Sequence, residues 1–178
     1  VVGMRAVLAG NETAALSAAL PAAHVRTWRA GAETLLDAAA PFLRARAAAG
    51  FVRRAHGDLH LGNLCLWQGR IVPFDALEFD EELATIDLGY DLAFLLMDVE
   101  QRAGRAAANR VMNRYIARTG DAGLTRFLPL FLSCRALIRA HVAARSAHPD
   151  TALRYLDAAA AYQRPVPAVV LAIGGLPG

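Results

Sequence analysis

Two short apolar runs in the middle of the chain lie on either side of the pair Gln68-Gly69. The first run covers residues 64–67 and the second covers residues 71–74. Short apolar runs joined by a glycine-containing pair predict a β-hairpin. Because a hairpin returns the chain to its starting point, the polar segments that flank it, residues 56–63 and 75–80, are expected to lie side by side.

The flanking segments carry the side chains that phosphoryl transfer requires. Residues 56–63 read His-Gly-Asp-Leu-His-Leu-Gly-Asn, and Asp75 follows the hairpin. The carboxylate of Asp58 can accept or orient the proton of an attacking hydroxyl group. The oxygens of Asn63 and Asp75 suit Mg²⁺, a hard cation that prefers oxygen ligands. We therefore predict that these three side chains converge on one cleft.

This segment resembles the catalytic segment of kinase-fold small-molecule phosphotransferases of the aminoglycoside phosphotransferase and choline kinase type, whose loop reads His-Gly-Asp-x-x-x-x-Asn. The resemblance implies an α+β, mostly helical fold, the C-terminal lobe of a protein-kinase-like fold with a small β-hairpin at the catalytic site. It implies that Asp58 is catalytic and that Asn63 and Asp75 bind Mg²⁺ and ATP, or another nucleoside triphosphate. The implied substrate is a small-molecule hydroxyl.

Three further residues are expected to support the loop. His56 would pack and hydrogen-bond within it, and Gly57 would let its backbone turn tightly. Asp91 resembles an acid that braces the catalytic loop in this family, but it also suits the start of a helix, and both interpretations stay open. The residues left without an assigned role are His60, Glu78 and Asp80.

Helical patterns surround the loop and the hairpin. Thr85 is predicted to be the N-cap of a helix that continues through Val99. Later helices are predicted over residues 105–118, 124–146 and 149–163.

The first fifty or so residues are less regular. Residues 1–8 are interpreted as a short strand or as the tail of a hinge between lobes. Asn11 is expected to cap a short helix that Pro21 ends or interrupts. Residues 28–49 have a helical pattern in which Pro41 is expected to cause a break or a kink.

All 19 basic residues are arginine, and none is lysine. Kinase-fold enzymes hold the phosphates of ATP with a strand lysine and a loop of small residues, and only about fifty residues precede His56. We therefore expect the chain to be a fragment that lacks its N-terminal lobe and shows little ATP turnover by itself. The arginines are spread along the chain, so no nucleic-acid partner is predicted.

The C-terminal residues indicate a second domain. Residues 165–167 contain two prolines and are predicted to form a linker after a kinase-like domain over residues 1–164. Residues 168–178 run from an apolar stretch into glycines, like the first half of a Walker A loop that begins at Gly175. This layout resembles bacterial two-domain proteins in which a phosphotransferase-like domain precedes a P-loop ATPase domain. The expected partners are therefore the missing N-terminal lobe and a P-loop domain of the same protein.

Apolar runs, the N-terminal residues and the cysteines bear on the cellular location of the protein. No apolar run reaches the ~18 residues that a membrane span requires, and no signal-peptide pattern is visible at the start. The two cysteines, Cys65 and Cys134, do not form a disulfide framework. A cytoplasmic protein without a membrane partner is expected.

Two alternative functions stay open. The first is a non-catalytic, pseudokinase-like module that binds a nucleotide or a partner. The second is a metal-dependent phosphoesterase, because residues 57–60 superficially resemble a Gly-Asp-x-His metal loop, although the further histidine motifs of such enzymes are missing. The acceptor is not identified. The helices after the loop lack an acidic cluster for a polycationic drug, so a dedicated aminoglycoside resistance enzyme is not predicted.

Overall fold

The computed structural model of the chain describes residues 1–78 and 84–165. Most of these residues are helical, and the described strands form two short antiparallel pairs. The predicted class, α+β and mostly helical, is confirmed. Residues 166–178 lie outside the described residues, and with them most of the predicted linker at residues 165–167 and the whole predicted start of a P-loop domain at residues 168–178.

The chain has a helical N-terminal part, a central part that contains the strands, and a helical C-terminal part. β1 pairs with β4 and β2 pairs with β3, both antiparallel. No helix in the described ranges is long and apolar enough to cross a membrane. In chain order the described elements are α1 (Val2–Ser17), α2 (Ala22–Ala48), β1 (Val52–Arg54), a first 3₁₀ turn (Leu61–Asn63), β2 (Leu64–Trp67), β3 (Arg70–Pro73), β4 (Thr85–Asp87), α3 (Leu88–Ala103), α4 (Arg105–Thr119), a second 3₁₀ turn (Ala122–Arg126), α5 (Leu128–Arg145) and α6 (Pro149–Ala161).

The predicted hairpin is confirmed as β2 and β3. Trp67 pairs with Arg70, so only Gln68 and Gly69 form the turn. Both turn residues have positive φ angles, 48° and 73°. A two-residue turn of this kind matches the twist of the two strands that it connects.

The hydrophobic core lies between the helices, behind the stranded part. Its largest fully buried side chains include Trp28, Phe94 and Phe131. A chain of polar contacts crosses this core: Trp28 Nε1 donates to Ser133 Oγ (2.9 Å), and the Ser133 hydroxyl donates to the carbonyl of Ala159 (2.8 Å). These bonds join α2, α5 and α6, and α3 packs against α5 beside them.

Two predictions for the N-terminal residues were wrong, whereas the predicted interruption at Pro21 is confirmed, because α1 ends at Ser17 and α2 begins at Ala22. Residues 1–8 do not form a strand, because α1 extends from Val2 to Ser17, and Asn11 lies in its middle instead of capping a helix. The buried side chain of Asn11 donates from Nδ2 to the backbone carbonyl of Cys134 on α5 (3.3 Å). Asn11 and Ala15 share the buried face of α1. Packing against α2 and α5 thus outweighs the weak helix propensity of the stretch.

Pro41 does not break the second helix. α2 continues through it from Ala22 to Ala48, although a proline removes one backbone hydrogen bond from a helix. Ala39 and Leu43, on either side of Pro41, are both buried. The apolar face of α2 therefore holds both halves of the helix against the core.

Two other helix starts differ from the predicted ones. Thr85 belongs to β4, and the N-cap of α3 is Asp87, whose Oδ1 accepts the backbone N–H of Gly89 (2.7 Å). The predicted helix over residues 124–146 is divided into the second 3₁₀ turn and α5. Since an aspartate caps a helix as well as a threonine does, local pattern alone did not select between them.

Arg46 of α2 is the centre of a buried ion cluster that fixes this helix to the rest of the fold. Its Nε and Nη2 donate to the two carboxylate oxygens of Asp87 (2.7 and 2.8 Å), and its Nη1 donates to Asp121 Oδ1 (2.5 Å). The guanidinium also lies 4.1 Å from the ring centroid of Phe51. Burial acts to lower the pKa of Arg46, but the bonds to Asp87 and Asp121 outweigh it and raise this pKa, so the group stays charged.

Candidate active site

The predicted catalytic loop, residues 56–63, connects β1 to the first 3₁₀ turn and β2. Gly57 has a φ of +83°, and a Cβ atom there would lie 2.6 Å from Cδ1 of Leu77, so glycine is required. The carbonyl of His56 accepts the N–H of Leu77 (2.9 Å), and His56 Nε2 donates to the carbonyl of Phe74 (2.9 Å). The two segments that flank the hairpin therefore lie side by side, as the sequence predicted.

The structure brings Asp58 and Asn63 into contact. Asn63 Nδ2 donates both to the backbone carbonyl of Asp58 (3.0 Å) and to its Oδ2 (3.1 Å). Asn63 is buried, whereas 41% of the Asp58 side chain is exposed. Because both amide protons of Asn63 point to Asp58, its Oδ1 is available as an acceptor, and within the described residues it accepts no hydrogen bond.

His60 contacts the carboxylate of Asp58. Its Nδ1 accepts the N–H of Gly62 (3.0 Å), which places the ring proton on Nε2, 3.4 Å from Asp58 Oδ2. The ring packs edge-on against Phe94 of α3, with 5.2 Å between centroids. Hydrogen bonding from His60 is the largest influence on the Asp58 carboxyl and lowers its pKa, while burial acts in the opposite direction. His60 therefore helps to keep Asp58 ionised and oriented.

Two carboxylates of α3 hold the backbone of the loop. Asp91 accepts the N–H groups of His56 (2.9 Å) and Leu59 (3.4 Å), one on each oxygen. Asp98 accepts the N–H of Leu61 (3.0 Å). Seven residues, or two helical turns, separate the two aspartates, which places them on one face of α3. Asp91 also lies in the first turn of this helix, so the two interpretations that the sequence left open describe the same geometry.

Arg135 of α5 supports the loop from a third element. Its Nη2 donates to the carbonyl of Gly57 (3.1 Å), and its Nε donates to the carbonyl of Tyr90 (3.1 Å). The buried guanidinium lies 3.8 Å from the ring centroid of Tyr90 and 4.7 Å from that of Phe94. Its positive charge also contributes to lowering the pKa of Asp58.

Asp75 lies two residues after the end of β3 and is exposed. The residue before it, Phe74, donates its N–H to the carbonyl of Asn63 (3.0 Å), so the backbone of Asp75 lies one residue from a contact with the loop. The Asp75 carboxylate makes no hydrogen bond to Asp58 or Asn63. Glu78 is also exposed, and Asp80 lies outside the described residues.

The oxygen atoms of Asn63 and Asp75 are of the kind that Mg²⁺ takes as ligands when it is bound together with phosphates. Asn63 Oδ1 accepts no hydrogen bond within the described part of the chain, and the carboxylate of Asp75, twelve residues later, is exposed. No group of three His, Cys, Asp or Glu side chains in residues 1–78 and 84–165 could hold a metal ion by itself. Mg²⁺ in phosphate-transfer sites typically takes one or two protein ligands and completes its shell with water and phosphate oxygens.

Sequence reasoning missed Asp98 and Arg135 as supports of the loop. The seven-residue spacing of Asp91 and Asp98 was a usable signal, because two aspartates at that spacing share a helix face. Arg135 had no comparable signal, since it is one of 19 arginines and lies in an apolar helix.

A groove of about 730 Å³ lies elsewhere, between α2 and the end of α6. Its lining includes Thr27, Leu156 and Ala160, and none of the loop residues contributes to it. We assign the site to the loop because the convergent polar groups are there.

The chain is similar to uncharacterized proteins of mycobacteria. It is 28% identical over 135 residues to the uncharacterized proteins Rv2004c and MT2060 of Mycobacterium tuberculosis and Mb2027c of Mycobacterium bovis. The matched region covers 72% of this chain but only 27% of each relative. No family model matches the chain, and no solved structure matches it significantly.

Proposed function

We propose that the chain is the C-terminal lobe of a phosphotransferase that moves the terminal phosphoryl group of ATP, or of another nucleoside triphosphate, to a hydroxyl group of a small molecule. The observation that carries the proposal is the contact between Asp58 and Asn63 within a loop held by Asp91, Asp98 and Arg135. A partly exposed, ionised carboxylate in a fixed orientation suits a group that handles the proton of a hydroxyl nucleophile.

The proposed reaction uses this loop as follows. Asp58 accepts the hydroxyl proton as the hydroxyl oxygen forms a bond to the terminal phosphorus. At the same time the bond from this phosphorus to the leaving nucleoside diphosphate (ADP, for ATP) breaks. His60 orients the Asp58 carboxylate through Nε2, and Asn63 donates to the same carboxylate oxygen, Oδ2. Asn63 Oδ1 and the Asp75 carboxylate would bind Mg²⁺, which supplies positive charge beside the phosphates.

The absence of lysine favours a second candidate, a pseudokinase-like module that binds nucleotide without turnover. Kinase-fold enzymes hold the phosphates with a lysine, and residues 1–178 supply none. The chain spans only about a quarter of its mycobacterial relatives, so in the first proposal another part of the protein provides this group. A missing lysine in the whole gene product would favour the second.

The test is ADP release by the full-length gene product with Mg²⁺, ATP and a panel of small-molecule alcohols. Asp58→Asn should lower turnover by ~10²–10⁴-fold, because the proton acceptor is lost. Asp157→Asn, an exposed acid on α6, is the matched control and should keep the activity.

Each competing function has its own outcome in this assay. Equal turnover by wild type and Asp58→Asn would contradict the proposed mechanism. Saturable nucleotide binding without turnover would favour the pseudokinase. Release of phosphate from simple phosphomonoesters with Mn²⁺ and no nucleotide would favour a phosphoesterase.

A further inference from the structure

Asp98 is a completely buried carboxylate in the middle of α3. Its side chain has 0% exposure, and it accepts hydrogen bonds from three different parts of the chain. Oδ2 accepts the backbone N–H of Leu61 (3.0 Å). Oδ1 accepts the hydroxyl of Tyr155 on α6 (3.3 Å) and Nε of Arg102 (3.1 Å). A buried carboxylate is costly unless its oxygens are satisfied, so the location of its partners is informative.

The bond to Leu61 ends in the candidate site. Leu61 begins the 3₁₀ turn, and Asn63 ends it with the side chain that contacts Asp58. Asp91 holds the first half of the same loop at His56 and Leu59. The two aspartates thus fix opposite ends of the loop, and Asp98 fixes the end that carries the proposed magnesium ligand.

We propose that Asp98, oriented by the hydroxyl of Tyr155, is a positioning residue that sets the Leu61–Asn63 turn and so the orientation of the Asn63 amide. This inference rests on the proposed function, in which Asn63 is a metal ligand. Tyr155 is 3% exposed and belongs to α6. The Asp98 carboxylate therefore connects α6 to the loop, because it accepts hydrogen bonds from both Tyr155 and Leu61.

A neighbouring contact provides a matched control. Tyr162, directly after α6, donates its hydroxyl to Glu100 Oε2 on α3 (2.8 Å). Like the bond between Tyr155 and Asp98, this bond joins a tyrosine hydroxyl in the C-terminal part of the chain to a carboxylate on α3. In the described residues, however, Glu100 makes no hydrogen bond to the loop. Tyr155→Phe and Tyr162→Phe therefore remove similar bonds, and only the first should affect the site.

The experiment measures two properties of the full-length protein carrying Asp98→Asn, Tyr155→Phe or Tyr162→Phe. The first is hydrogen exchange of peptides that cover residues 56–64. The second is the kinetics of ADP release. Asp98→Asn should speed exchange at Leu61 and lower kcat by ~10–100-fold with KM for ATP within about twofold, as expected for loss of a group that orients a ligand. Tyr155→Phe should change both in the same direction by a smaller factor, and Tyr162→Phe should change neither.

The two readouts separate failure of this inference from failure of the proposed function. A wild-type protein without ADP release would overturn the proposed function, while faster exchange in Asp98→Asn and Tyr155→Phe would still support positioning of the loop. Unchanged exchange in both variants, or wild-type kcat in both, would overturn the positioning role. If Asp98→Asn does not fold, the Tyr155→Phe and Tyr162→Phe pair decides the question, because both retain the buried carboxylate and its neighbours.

Discussion

Two groups of buried charged side chains in the described part of the chain form hydrogen bonds to different kinds of partner, mainly other side chains in one group and loop backbone in the other. The Arg46 cluster is held mainly by bonds between side chains: the guanidinium meets the carboxylates of Asp87 and Asp121, and Asp87 also caps α3 by accepting the N–H of Gly89. In the loop cluster, Asp91 and Asp98 accept from backbone N–H groups of the loop of residues 56–63, and Arg135 donates to a backbone carbonyl of that loop.

The difference separates a structural role from support of a site. The bonds of the Arg46 cluster join α2 to the start of α3 and to Asp121, and none of them ends on the loop of residues 56–63. Charged groups that bond to loop backbone instead specify where that backbone lies, because each bond fixes one N–H or C=O group. We therefore expect variants of the Arg46 cluster to change stability, and variants of the loop cluster to change stability less and activity more.

The largest effect on stability is expected for Arg46→Ala. It leaves the buried Asp87 and Asp121 carboxylates without their counter-ion, and breaking a buried pair in this way costs ~3–5 kcal/mol. Urea unfolding should show this loss in the free energy of unfolding, while turnover per folded molecule stays at the wild-type level. Arg5→Ala, which removes an exposed ion pair with Asp37, is the control and should cost less than ~1 kcal/mol. A similar small cost for both variants would remove the basis of the comparison.

A smaller loss of stability, with a clear loss of activity, is expected for Arg135→Met. The variant leaves the carbonyls of Gly57 and Tyr90 without their donor, which costs ~1–3 kcal/mol, and it releases one end of the loop. ADP release should fall by more than the folded fraction does. Arg139→Met on the same helix is the control, because Arg139 Nε has no hydrogen-bond partner in the described residues. Equal activity in both variants would show that Arg135 does not act through the loop.

Tyr115→Phe tests the edge of the Arg46 cluster. The hydroxyl of Tyr115 donates to Asp121 Oδ2 (3.1 Å), so its removal should cost ~1 kcal/mol and leave turnover unchanged. Burial, and then the charge of Asp121, raise the pKa of Tyr115. Since the folded chain holds this proton more tightly, the stability that it contributes is present below the unfolded pKa and is lost as pH rises towards the folded pKa. Unfolding measured in alkali should therefore show a weaker pH dependence in Tyr115→Phe than in the wild type.

The smallest effect on stability is expected for His60→Ala, a change within the loop itself. Hydrogen bonding from His60 lowers the pKa of Asp58 below its ordinary value of 3.8, so the variant should raise the pKa of this carboxyl. Ionised Asp58 adds stability above its unfolded pKa, and this stability is lost as pH falls through the lower, folded pKa. Carboxyl NMR titration of wild type and variant measures the shift. An unchanged Asp58 midpoint would mean that Arg135 and Asn63, and not His60, hold the carboxylate ionised.

Local contacts were the part of the fold that could be predicted well. The hairpin followed from the pair Gln68-Gly69 between two apolar runs, and α4 was predicted over residues 105–118 and found over Arg105–Thr119. The prediction that Asn11 caps a helix was wrong because its side chain is buried inside the fold, where it donates to the carbonyl of Cys134, 123 residues away. The predicted break at Pro41 is absent for a similar reason, since packing keeps α2 continuous.

The sequence alone determined the chemistry of the loop and the contacts that lie within a few residues. Asp58 and Asn63 are five residues apart, and a tight turn with the glycines at 57 and 62 suffices to bring them together. Only the tertiary structure decided which buried charges support that loop. Arg135 reaches Gly57 across 78 residues and Asp98 reaches Leu61 across 37, and such contacts arise from the packing of α3, α5 and α6 around one core. Local periodicity places a residue on a helix face, but the identity of the backbone group opposite it depends on how the helices pack.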